Sequence, residues 1–223
     1  MAINHALDRP APSPADALHA RVERQGSHGH GHRLALVAAT GPNAARDLAD
    51  AIHLLCALYG RHPGLIELAL ANCAPGPVRD WLREASDAYE RERLYLVRLT
   101  AAVGPLPSTP GAAATEAALV AQRHAIETLA KSERSGCALG AATALMVDWP
   151  AVRGLLDRAG DRMGVARPAL TLPDPGSIVA VIERGVASPG AERALAFGAE
   201  QLLLQNCGLF DLLEARAAAR GDD

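Results

Sequence analysis

Four stretches of helical periodicity carry a polar side chain onto an otherwise apolar face. These are the residues whose types and spacing could do chemistry. In the first, the stripe Leu48, Ile52, Leu55, Tyr59 has His53 at its border and Asp50 one turn before it. In the second, Val78, Trp81, Leu82, Ala85, Tyr89, Leu96, Leu99 and Val103 leave one gap, filled by Glu92. In the third, His124 falls on the line Ala117, Val120, Ala121, Thr128, with Glu127 one turn on. In the fourth, Leu195, Ala199, Leu202, Leu209 and Leu213 bring Gln205 and Asn206 close to the same face, with Glu200 at its edge. A carboxylate carried onto such a face must find a partner or take up a proton, because burying it alone is strongly unfavourable.

Two chemistries would use such groups. Di-metal centres in four-helix bundles take a Glu from each of two helices and a Glu-x-x-His from each of the other two, since positions three apart grip one ion together. On that pattern Asp50, His53, Glu92, His124, Glu127 and Glu200 would hold iron, manganese or zinc, giving an oxidoreductase or a metal store of ferritin-like design. Only Asp50 and His53 have the right order, with Asp for Glu; His124 and Glu127 are reversed, and the last helical stretch has no histidine. The second chemistry is ligand binding, with Glu92, Gln205 and Asn206 holding the polar end of an apolar molecule. The plainest role for Glu92 is an ion pair with Arg91, Arg93 or an arginine of a neighbouring helix.

No G-x-S-x-G elbow, phosphate-binding glycine loop, dinucleotide fingerprint or HExxH helix occurs. Cys56 stands three residues after His53, but one helix offers no backbone donors for acyl chemistry. His28, His30 and His32 alternate along GSHGHGH, which reads as a solvated loop or a weak chelator of Ni, Cu or Zn. The four cysteines lack metal or redox spacing and read as small buried thiols in a reducing compartment.

The elements that must position these groups are helices. The 223 residues include 47 Ala and 31 Leu against two Phe, two Trp and three Tyr, a composition that excludes an all-β fold. Gly60, Pro63, Pro77, Gly104-Pro105 and Gly164 punctuate the chain as helix starts and stops, and Asp174-Pro175 and Ser188-Pro189 each place a capping side chain before a proline at the first helical position. Helices are expected over Asn43–Gly60, from Pro63, from Pro77 to Gly104, from Ala112 to at least Arg134, from an Asp148 cap to Met163, and from Pro189 to about Ala218. This predicts an all-α bundle of about six to seven helices, mostly antiparallel because the connections are short. Residues 1–32 are expected to form a flexible N-terminal tail with the His-rich loop, and 33–223 a single domain.

A net charge of −3, with 22 basic against 25 acidic residues, provides no basic stripe for nucleic acid. The longest uncharged helical run, Ser135 to Val147, is too short to cross a bilayer, and the N-terminus lacks a secretory pattern, so a soluble cytoplasmic protein is expected. Leu202, Leu203, Leu204, Leu209, Phe210, Leu212 and Leu213 surround the last helix, which predicts a homo-oligomer or a partner protein held through the C-terminal helix. The segments LCALYGRHPG, GPLPSTPG, ERSGCALGAA and FGAEQLLLQ resemble an uncharacterised helical bacterial family, a resemblance that implies the fold and compartment but no activity, cofactor or catalytic residue. The leading expectation is a non-enzymatic binding protein without a cofactor; the metal-binding bundle is the alternative.

Overall fold

The computed structural model describes residues 12–221, and among them every regular element is helical. Nine α-helices are present: α1 (Pro14–Gln25), α2 (Gly31–Ala38), α3 (Ala44–Tyr59), α4 (Leu65–Ala71), α5 (Pro77–Ala102), α6 (Ala112–Ala130), α7 (Cys137–Met163), α8 (Pro175–Gly185) and α9 (Pro189–Ala219). A 3-10 turn over Ser27–Gly29 joins α1 to α2. The count exceeds the six to seven expected because the chain before Asn43 is helical too. Ser13 and Asp16 form a reciprocal capping box ahead of Pro14, and Ala15, Leu18 and Val22 are buried. Residues 14–32 therefore belong to the packed body rather than to a tail. The expectation of a flexible tail over residues 1–11 lies outside the described residues.

The proline-based starts hold at the C-terminal helices. Asp174 accepts from the Gly176 and Ser177 amides with Pro175 next in line. Ser188 accepts from Ala191 N–H at 3.2 Å ahead of Pro189. Asp148 is different: it is no cap but lies inside α7, which runs unbroken from Cys137 through Pro150. Pro150 is exposed, so its ring sits on the outer side of a helix held by α1, α5 and α9.

The direction of the helices departs most from expectation. Gly136 faces Ala191, Gly140 faces Leu195 and Asp148 bonds Asn206, so residue numbers rise together and α7 and α9 run parallel. Glu92 bonds Arg153, and Tyr95 meets Leu156 and Gly160, so α5 also runs parallel to α7. The three longest helices thus point the same way. Chain-consecutive neighbours were expected to be the packed pairs; instead α6 and α8 carry the chain back, and α6 runs against α9, with Gln122 reaching the Gln205 carbonyl and Thr115 bonding Arg216.

The α7–α9 contact depends on missing side chains. A Cβ on Gly140 would overlap the Leu195 carbonyl, and one on Gly198 the Cys137 carbonyl. The backbones themselves are in contact, as in small-residue helix pairs. Around α9 lie α1, α2, α3, α6 and α7. That encirclement absorbs the leucines expected to form an outer face: Leu202, Leu203, Leu209, Phe210 and Leu213 are all buried, while Leu204 is 56% exposed.

Glycines of α7 and α9 should therefore respond with opposite sign to alanine. Gly140→Ala and Gly198→Ala are each expected to destabilise by about 3 kcal/mol through forced separation of the backbones. Gly154 in α7 has only Arg33 at 4.0 Å from an added Cβ, and Gly154→Ala should stabilise by about 0.5–1 kcal/mol. Urea denaturation of the three variants measures both signs.

Candidate functional site

Three carboxylates enter the interior, and the chain itself supplies partners for each. Glu92, 1% exposed, accepts from Arg153 Nη1 at 2.6 Å and from Trp149 Nε1 at 2.9 Å. Arg153 is further tied to Asp157 at 2.7 Å and to the Pro168 carbonyl, and its guanidinium lies 4.8 Å over the Tyr95 ring. Burial pushes the Glu92 carboxyl up; the Trp149 indole and the Arg153 charge push back, and Asp157 adds to the rise. An arginine of a neighbouring helix is thus the partner of Glu92, while Arg91 bonds Thr171 and Arg93 lies in another cluster.

Asp50 is held by Arg216 through contacts of 2.7 to 3.1 Å and by Arg220 at 2.7 Å. The same arginines reach Thr109 and Thr115, and Arg220 also pairs with Asp47 at 2.9 Å. This clamp ties the end of α9 to α3 and to the Gly104–Gly111 loop. Among the described residues, Asp148 has no cationic side chain in hydrogen-bond contact. It accepts from Ser27 N at 2.7 Å, Ser27 Oγ at 2.6 Å and Asn206 Nδ2 at 2.7 Å, and Asn206 in turn accepts from the Tyr59 hydroxyl. Trp149 stands edge-on to Tyr59 and Tyr89, between the Glu92 and Asp148 centres.

The sequence-derived site residues therefore do not converge. Asp50 and His53 share α3, but His53 bonds the Gly104 carbonyl at 2.7 Å while Asp50 faces Arg216. His124 is exposed, Glu127 pairs with Lys131 at 3.5 Å, and Glu200 pairs with Arg21 at 2.8 Å. Glu92, Gln205 and Asn206 do not form one polar end: Asn206 serves Asp148, and the Gln205 carbonyl accepts from Gln122. The three loop histidines also separate. His28 lies 3.7 Å from Glu23, His30 lies 3.1 Å from Asp211 and beside the Phe210 ring, and burial lowers His32. GSHGHGH is no solvated loop, since its glycines open a 3-10 turn and α2.

Among the described residues, one set of potential metal ligands does gather: His62, Glu67 and Glu90. A cation of the chain already stands among them. Arg93 lies 2.6 Å from Glu67, 2.6 Å from Glu90 and 2.8 Å from His62 Nδ1. Burial alone would raise Glu67, but the Arg93 hydrogen bond and charge, with the Gly64 amide, hold its carboxyl below the ordinary range.

The open concave space lies at the surface. A groove of about 530 Å³ is bounded by the α4–α5 and α6–α7 corners and the end of α8. Val78, Leu82, Ala130 and Leu139 line its apolar part; the last three are buried and form its base. Arg134, Arg184 and Glu133 are exposed at its edge, and neither guanidinium has an ion pair or hydrogen bond among the described residues. Because α5 and α7 run parallel, their N-terminal ends meet in this groove at Gly76 and Gly136, neither of which carries a side-chain cap. Their aligned peptide dipoles add positive potential there. A second groove of about 530 Å³ shares Ser132 and Arg134 and is lined by His124, Glu127 and Phe197. The first groove escaped sequence reasoning because its residues sit at the ends of five helices; the Gly-Pro and Ser-Gly corners were the only signal.

A protein-family model matches residues 22–221, and its description is a family of unknown function. No curated protein and no solved structure matches the chain.

Two measurements follow from the interior pairs. Asp50→Ala leaves two guanidiniums without their shared carboxylate and should cost about 4 kcal/mol in chemical denaturation. Glu67, with its folded value below the ordinary 4.5, contributes stability that is complete above that range and is lost as pH falls through the folded value. The stability difference between the unaltered protein and Glu67→Gln should therefore be about 2 kcal/mol at neutral pH and shrink in acid, as followed by urea titrations at stepped pH.

Proposed function

The chain belongs to DUF6975, a family of unknown function, and for this member we propose a non-enzymatic binding role: a rigid helical scaffold that takes its ligand or partner at an outer groove rather than inside the bundle. The observation that supports this reading is the satisfaction of the three buried carboxylates among the described residues. Asp50 and Glu92 are each matched by arginine, and Asp148 by one amide side chain and both donors of Ser27. A metal ion or substrate at any of these positions would have to displace a guanidinium or break two to three short hydrogen bonds in a low-dielectric interior. The groove with Arg134 and Arg184 requires no such displacement, and its size and its mix of apolar base and few polar groups fit a small-ligand site.

Among the described residues no helix is long and apolar enough to cross a membrane. The exposed large apolar side chains of α9 are Phe197 and Leu204, so a partner held through that helix would rest on these two rather than on its leucine-rich C-terminal half.

The competing reading is interior metal chemistry, and metal content separates the two. Elemental mass spectrometry of untagged protein carrying His28→Ala, His30→Ala and His32→Ala is expected to find well under one iron, manganese or zinc ion per chain. One or two ions per chain, retained through dialysis and lost in Glu92→Gln or Asp50→Asn, would overturn the binding reading in favour of a bundle metal centre.

A further inference from the structure

The groove beside Gly136 has a charge pattern and an interior that together select a class of occupant. Its base is hydrocarbon: Leu82, Ala130 and Leu139 are at most 5% exposed yet line the space, and Val78 continues it outward. Its edge is cationic on balance, with Arg134 and Arg184 against Glu133. Arg79, on the first turn of α5, is by contrast spent on the fold, donating to the Leu70 and Cys73 carbonyls. The guanidiniums of Arg134 and Arg184 donate to no side chain or carbonyl among the described residues, so their fork of N–H donors is free for an anion. Apolar surface in a groove attracts a hydrocarbon body, and free guanidiniums attract a carboxylate head with paired, charge-assisted hydrogen bonds.

We propose that this groove binds a free single-chain amphiphilic carboxylate, with its hydrocarbon on Val78, Leu82, Ala130 and Leu139 and its carboxylate between Arg134 and Arg184. The inference rests on the binding role proposed above and names the ligand class for that same groove. The space, about 530 Å³, is of the size that holds small ligands. Glu133 stands against the head group and sets a limit on affinity. Removing its charge should tighten binding, whereas removing an arginine should loosen it.

The test uses the full chain and three probes in isothermal titration: dodecanoate below its micellar concentration, dodecanol and acetate. Saturable binding of one dodecanoate per chain is expected, with dodecanol weaker by at least about tenfold, because it lacks the charge that the arginines recognise. Acetate, which has the charge without the chain, should show no binding. Arg134→Gln with Arg184→Gln should weaken dodecanoate by about tenfold or more and leave dodecanol unchanged, and Glu133→Gln should strengthen dodecanoate about twofold. All three positions are exposed, so unchanged urea midpoints show that the variants fold. The proposal is overturned if dodecanol matches dodecanoate, if the arginine variant binds dodecanoate as well as the unaltered protein, or if no dodecanoate binds. Cosedimentation with anionic phospholipid vesicles, in the absence of free dodecanoate binding, would also overturn it and assign the groove to a membrane surface. A metal found in the interior leaves these titrations readable, so the two readings fail separately.

Discussion

The contact of the α7 and α9 backbones at Gly136, Gly140 and Gly198 is the constraint from which most of this molecule follows. Two helices can approach so closely only where neither carries a Cβ into the other, and here the bare positions interlock: Gly140 sits under the Leu195 carbonyl and Gly198 under that of Cys137. The contact fixes direction as well as distance, because it aligns residues whose numbers rise together. Once α7 and α9 are parallel, the returning chain must lie outside them, which is where α6 and α8 are found. It also places Asp148 opposite Asn206 two turns further on. Parallel dipoles repel weakly, so this arrangement needs compensation from packing, and the burial of Leu195, Leu202, Leu203, Leu209, Phe210 and Leu213 along α9 supplies it.

Buried charge in this setting specifies more than it stabilises. A carboxylate–guanidinium pair in a low-dielectric interior gains little over well-packed hydrocarbon, but an unpaired member is heavily penalised. The pairs therefore work as register checks. Glu92 meets Arg153 only when α5 and α7 are parallel and correctly slid, and Asp50 meets Arg216 only when α9 runs the full length of α3. An Ala- and Leu-rich bundle has many near-equivalent ways to pack, since its side chains are similar in size and shape. Three polar centres spread along the bundle raise the energy of every slipped alternative.

These physical roles explain what could be read from the amino-acid order and what could not. The starts of α5, α8 and α9 were legible because proline at the first turn and a capping Asp or Ser act locally, and Glu92 stood out because a single gap in a long apolar stripe is a local pattern. The partner of Glu92 was not legible: Arg153 lies 61 residues away, and nothing in its neighbourhood marks it. Asp148 misled for the opposite reason. Asp before a proline resembles a helix start, but long-range bonds to Ser27 and Asn206 hold it mid-helix. Leucines on every side of α9 were read as a surface for another chain because a peripheral helix with that pattern would need one. Here α9 is surrounded by five other helices, and most of those leucines pack against them. GSHGHGH, residues 26–32, looked too rich in glycine to hold regular structure, yet Ser27 and His30 have fixed partners in α7 and α9 that only the folded chain supplies.

The same parallel packing that organises the interior also shapes the surface. In an antiparallel bundle each helix start lies beside a helix end and the partial charges offset one another. Here α5 and α7 begin side by side, and their uncapped first turns open into one groove with Arg134 and Arg184 at its edge. Positive potential that would elsewhere be scattered is gathered over hydrocarbon from Leu82, Ala130 and Leu139. Asp50 and Glu92 are paired with arginine inside the bundle, and neither lines this groove. The interior thus spends Arg153 and Arg216 on holding the long helices in register, while Arg134 and Arg184 stand at the groove where α5 and α7 begin. The proposed recognition of an anion with an apolar body depends on that direction, and so on the glycines that permit it.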